Sequence, residues 1–214
     1  MLSVAAQLGF DAATLGFILR WFHVLFGIVW IGHLYFFNFV NGPFAKTMDA
    51  DTKKKVVPEL MPRALWWFRW GAMVTFFSGL LLFTLIFMYL PGAGFGSNAL
   101  LLDESGLTDR ARWIMWGMLF GSIMWFNVWF IIWPAQKRML SGQVPAEALP
   151  AVRRKAYLAS RMNTYLSAPM LLGMLAAGHM NAGFSYGGLL GWGLLGLAVV
   201  WAAIFHAGKV GQSV

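Results

Sequence analysis

Four histidines, His23, His33, His179 and His206, are the side chains whose chemistry stands out most from their surroundings. His23 and His33 fall inside RWFHVLFGIVWIGHLYFFNF, residues 20–39, a stretch apolar enough to sit in lipid. Ionisable groups at such depth are costly and usually functional. Ten residues separate the two, which along a helix is about 15 Å of rise and about 80° of rotation. They cannot share one metal ion. Each can instead face a histidine of another helix across a flat macrocycle, as when a helix bundle holds a b-type haem between two axial imidazoles. The plain alternative is a neutral imidazole that hydrogen-bonds a carbonyl or reaches the headgroups, and it weighs most for His179 and His206, which lie nearer a surface.

The elements that must position these groups follow from composition. Of 214 residues, 59% are hydrophobic and 11% charged, and there is no cysteine. That is an integral membrane protein, and it has no disulfide, thiolate metal site, iron–sulfur cluster or C-x-x-C-H haem attachment. Apolar segments of roughly 20 residues recur at about 15–40, 64–90, 113–133, 158–180 and 186–207. Lipid offers no partner to a free backbone amide, so these segments are expected to be helices. The expected fold is an all-α bundle of about five transmembrane helices, in one domain without internal repeats. Pro169 is expected to kink the fourth helix. No basic region or small-residue cleavage site precedes the first apolar run, so the first span is expected to stay.

Lysine and arginine orient the bundle. Lys46, Lys53, Lys54, Lys55 and Arg63 follow the first span, and Lys137, Arg138, Arg153, Arg154 and Lys155 follow the third. This asymmetry predicts an outside N-terminus and a cytoplasmic C-terminus. The net charge of +8 then belongs to loops beside anionic lipid, and nucleic acid is not an expected partner. Threading the topology gives an outer pair, His23 with His179, and an inner pair, His33 with His206. Haem propionates need cationic partners; Arg20 is placed to serve the outer haem, and Arg69 or Arg161 the inner one. Snorkelling to phosphate explains the same arginines equally well. Gly27, Gly32, Gly173 and Gly178 would let a porphyrin edge approach the backbone, or serve plain helix packing. Asn127 and Asn163 suit interhelical hydrogen bonds or a substrate contact. Trp66, Trp67, Trp70, Trp113, Trp116 and Trp133 read as interfacial belts. Thirteen scattered methionines make copper a weaker expectation, and zinc weaker still. The glycine-rich GAGFGSN, residues 92–98, is read as a loop.

RWFHVLFGIVWIGHLYFFNF, MWFNVWFIIWPAQKRML at 124–140 and RMNTYLSAPMLLGMLAAGH at 161–179 together resemble the membrane domain of the bacterial membrane-bound urate hydroxylases, the haem-associated urate oxidase N-terminal family. The resemblance runs over about residues 17–207. It implies a multi-pass protein of the bacterial inner membrane that oxidises urate and passes electrons to a cytochrome c domain. It also supports His23, His33, His179 and His206 as haem ligands. No C-x-x-C-H is present to mark that domain. Three functions are therefore expected, in this order. The first is a b-type cytochrome with one or two haems, exchanging electrons with a cytochrome c or quinone. The second is a haem-dependent oxidase of urate or a related heterocycle. The third is a CopD-type copper protein, or a cofactor-free subunit of a larger membrane complex or homo-oligomer.

Overall fold

The structure is a computed structural model that describes residues 11–90, 92–180 and 183–211. Helix α1, Ala12–Tyr35, runs into a π-helical segment, Phe36–Asn41, and a short α2, Gly42–Thr47. Helix α3 spans Ala50–Phe87. Helix α4, Asp109–Phe126, continues through a second π-helical segment, Asn127–Ile132, into α5, Trp133–Leu140. Helices α6, Leu149–His179, and α7, Tyr186–His206, complete the chain. The stretches 13–47, 50–87, 109–140 and 186–206 are long and apolar enough to cross a membrane. Helix α6 is as long but more polar, because it runs through the bundle and carries the buried Asn163, Thr164 and Ser167. The all-α membrane bundle expected from the sequence is the observed architecture.

The helices reach further than the apolar segments. Residues 41–63, read as a basic loop, are mostly helical, and α6 begins well before residue 158. Hydropathy reports what lies in lipid, whereas a helix persists into water while its caps and propensities hold. Asp49 caps α3 by accepting hydrogen bonds from the backbone N–H groups of Asp51 and Thr52. The Thr52 hydroxyl adds another, which holds the Asp49 carboxyl below its ordinary range. The segment between α3 and α4 folds into two short hairpins, β1 Tyr89–Leu90 with β2 Gly94–Phe95, and β3 Leu102–Asp103 with β4 Gly106–Leu107. Gly92, Gly94 and Gly106 adopt positive φ there, so the glycine-rich stretch is turn chemistry.

Antiparallel packing fixes the register. In α1 and α3, Gly71 brings its backbone against Trp30, where a Cβ would lie 3.0 Å from the Trp30 nitrogen. Gly117 and Gly173 do the same for α4 and α6: a Cβ on Gly173 would sit 2.5 Å from the Gly117 nitrogen. Gly173 therefore serves helix packing, as small residues commonly do in membranes. Helix α7 leans on α6, with Gly196 against Ala168. The main core forms around Trp30, Leu34, Phe68, Met124 and Val128. Trp113, expected in an interfacial belt, is instead 2% exposed and packs on Ala176, Leu189 and Phe184. Trp66, Trp67 and Trp70 are exposed, as a belt requires.

Polar groups tie the two helix pairs together at their inner halves. The Asn38 amide donates to Ser160 Oγ at 2.9 Å, and the Tyr35 hydroxyl meets Ser167 Oγ at 2.9 Å. Ser167 spends its own proton on the Thr164 carbonyl, so Tyr35 is the donor of that pair. Within the second pair, Asn127 donates to Asn163 Oδ1 at 2.7 Å, and Asn163 donates to the Met124 carbonyl at 2.9 Å. Asn38 and Asn127 both lie in π-helical segments that precede a proline, Pro43 or Pro134, which has no N–H to continue the α ladder. Gly173→Ala is expected to destabilise the bundle by about 1–3 kcal/mol through overpacking. Thermal unfolding in detergent checks this: the midpoint should fall relative to wild type, and an unchanged midpoint would show that the glycine contact is dispensable.

Candidate cofactor site

Towards the outer end, α1 and α6 separate, and a cavity of about 710 Å³ opens among α1, α3, α4 and α6. Its volume lies within the roughly 300–1,000 Å³ of small-molecule and cofactor sites. His23 of α1 and His179 of α6 both line it, so the outer pair read from the sequence shares one space. Arg20 and Arg110 line the same cavity, and most of the remaining wall is aliphatic, aromatic or methionine.

The His23 ring is held from α3. Its Nδ1 lies 2.9 Å from the Thr75 carbonyl and 3.3 Å from Ser78 Oγ. A carbonyl can only accept, so Nδ1 carries a proton, and in the neutral imidazole Nε2 then keeps its lone pair. This is the arrangement in which an imidazole serves as a metal ligand, with the outer hydrogen bond fixing tautomer and ring direction. Gly79 makes room for the ring: a Cβ there would stand 2.9 Å from His23 Cε1 and 3.3 Å from Nδ1. Thr75, Ser78 and Gly79 were not singled out in the sequence reading. Their signal is a small, polar cluster at i, i+3 and i+4 inside an otherwise Phe- and Leu-rich span, which places all three on one helix face.

His179 is the last residue of α6, is exposed, and has no side-chain hydrogen bond. His33 and His206 do not line this cavity. The His33 Nδ1 donates to the Val29 carbonyl one turn back, at 2.7 Å, and its ring lies beside Phe37. His206 is exposed at the end of α7, edge-on to Phe205. The arginines divide similarly. Arg20 reaches the cavity, whereas the Arg69 guanidinium stacks on Trp133, 3.7 Å from the ring centroid, and Arg161 donates to the Tyr157 hydroxyl at 3.0 Å. Arg110, which the sequence analysis did not single out, is the second cation of the cavity. Gly32 and Gly178 border it with nothing within 4 Å of a Cβ position, while Gly27 makes an ordinary contact with Thr75. Asn127 and Asn163 are consumed by interhelical bonds and do not line the cavity. Among the described residues, no cluster of three or more His, Asp or Glu side chains is placed to hold a metal ion by itself.

This donor set would suit a b-type haem: two imidazoles on different helices line one largely apolar space, one of them with its Nδ1 held by a carbonyl, and Arg20 and Arg110 line it too. Gly79→Ala is expected to push the His23 ring off the Thr75 carbonyl. Histidine ¹⁵N spectra of the protein in lipid should show a protonated Nδ1 for both His23 and His33 in the wild type, and in the variant only the His23 signal, assigned by its loss in His23→Ala, should change. An identical spectrum would mean that Gly79 does not set the ring.

No curated protein and no solved structure gives a match. A family model described as urate oxidase N-terminal matches residues 98–207, which takes in α4, α5, α6 and α7 with Arg110, His179 and His206. Helices α1 and α3, with His23 and its support, lie outside the matched range, which is shorter than the resemblance over 17–207. The match covers just over half of the chain, and the chain belongs to the urate oxidase N-terminal family.

Proposed function

We propose that this protein is a membrane cytochrome of the b type whose cavity would hold a haem, with His23 and His179 as the residues that would ligate its iron. The observation that carries this reading is that His23, its Nδ1 committed to the Thr75 carbonyl so that Nε2 is the ligating nitrogen of the neutral ring, lines a space that His179 also lines. Bound there, the haem supplies one-electron redox chemistry. The chain's own groups do the rest. Thr75 and Gly79 orient the His23 ring, Arg20 and Arg110 neutralise the propionates, and the aliphatic wall limits water around the site. The inner pair, His33 with His206, lies outside this cavity, so the proposal rests on the outer pair. The basic ends of α3, α5 and α6 face the cytoplasm in this reading, and the cavity faces the outer side of a bacterial inner membrane. The electron partner is a separate cytochrome c or a quinone.

Family membership favours a second reading, a haem-dependent oxidase of urate or a related heterocycle with a separate cytochrome as acceptor. The two separate on coordination. An oxidase needs an open position on the metal and a urate-dependent reduction, whereas a relay has both axial positions filled.

A reduced-minus-oxidised optical spectrum, with a pyridine haemochrome assay, tests the proposal. One b-type haem per chain is expected, and His23→Ala should lose it. Haem content unchanged in that variant, or absent from the wild type, sinks the assignment. Two haems per chain would add the His33 and His206 pair. Reduction by urate together with ready CO binding would select the oxidase.

A further inference from the structure

The cavity has an opening in its side. Helix α1 packs closely along α3, and α4 along α6, but α1 and α6 meet sparsely beyond their inner hydrogen bonds. Six residues that line the cavity are also exposed on its flank: Val24, Ile28 and Gly32 of α1, and Leu171, Leu175 and Gly178 of α6. No residue of α7 lines it. These six form two facing apolar rims at membrane depth, and at Gly32 and Gly178 there is open space where a side chain would stand. A pocket filled only from water would have no use for such a flank.

The outer end has the opposite character. Among the described residues neither Arg20 nor Arg110 makes an ion pair, and the Arg110 guanidinium lies 5.9 Å from the Phe87 ring centroid. Most nearby acids are engaged elsewhere. Asp11 caps α1, Asp103 accepts from Ser105, and Asp109 pairs with Arg112. Two guanidiniums thus face one apolar cleft without carboxylates of their own. An occupant that complements both ends has a flat apolar body and carboxylates along one edge.

We infer that the cleft between α1 and α6 is a lateral portal through which a dicarboxylate porphyrin enters from the bilayer, its carboxylates guided outward to Arg20 and Arg110. The inference rests on the haem reading and adds a route to it. A tetrapyrrole partitions into lipid with its carboxylates at the headgroups, so it would arrive at this depth already oriented. The rims need only slide past its edge, and the two glycines keep the passage flat.

The route is tested on the full chain in phosphatidylcholine vesicles, purified without haem and mixed with haemin-loaded vesicles while the Soret band is followed. Gly32→Phe and Gly178→Phe add bulk into open space and should slow uptake by about tenfold or more and slow haemin release to acceptor vesicles in proportion, because a narrowed passage lowers both rates whereas a crowded site would speed release. Leu171→Trp gives a third obstruction that leaves both glycines intact. Leu190→Trp, on the lipid face of α7, is the control and should behave as wild type. Uptake at the wild-type rate in all three rim variants overturns the lateral route while leaving the haem site standing. Wild-type protein that takes up no haemin, and carries none from cells, takes the route and the haem reading down together.

Discussion

The hydrogen bonds that join α1 to α6, Tyr35 to Ser167 and Asn38 to Ser160, set the geometry of everything outside them. Each helix has a closer partner of its own, α1 with α3 and α6 with α4, and in both pairs a glycine lets backbone touch backbone. Two such rigid pairs need not touch along their full length. Pinned at the inner half by polar contacts that lipid makes costly to break, they diverge towards the outer half, and the wedge between them is the cavity.

That division separates the polar residues that bond to one another from those that line the cavity. Side chains at the pinned end satisfy one another: Asn127 and Asn163, Asn38 and Ser160, Tyr35 and Ser167. At the open end the pairing is incomplete by arrangement. His23 commits one nitrogen to Thr75, His179 commits none, and Arg20 and Arg110 have no carboxylate partners.

Much of this was legible in the sequence, for identifiable reasons. Hydropathy was enough to read an all-α membrane bundle, and threading its helices paired His23 with His179, which do line one cavity. What stayed hidden depended on register between helices. Nothing local to His23 announces that Thr75 and Gly79 lie beneath its ring, because that contact spans more than fifty positions of chain. Arg110 looked like one more charge until α4 placed it on the cavity wall, while Arg69 and Arg161 were drawn aside by Trp133 and Tyr157. Trp113 misled for a related reason. Its place near a span end suggested an interfacial belt, but Phe184 and the start of α7 cover it.

Helix α7 rests on the bundle chiefly through α6, with Gly196 seated against Ala168 and large apolar side chains such as Trp192, Leu194 and Trp201 facing away. Besides that seam, Leu189 near its start packs with Trp113 of α4. None of its residues lines the cavity. The position of His206, carried on α7, therefore follows the docking of that helix, whereas His23 and His179 are carried by helices that wall the cavity themselves.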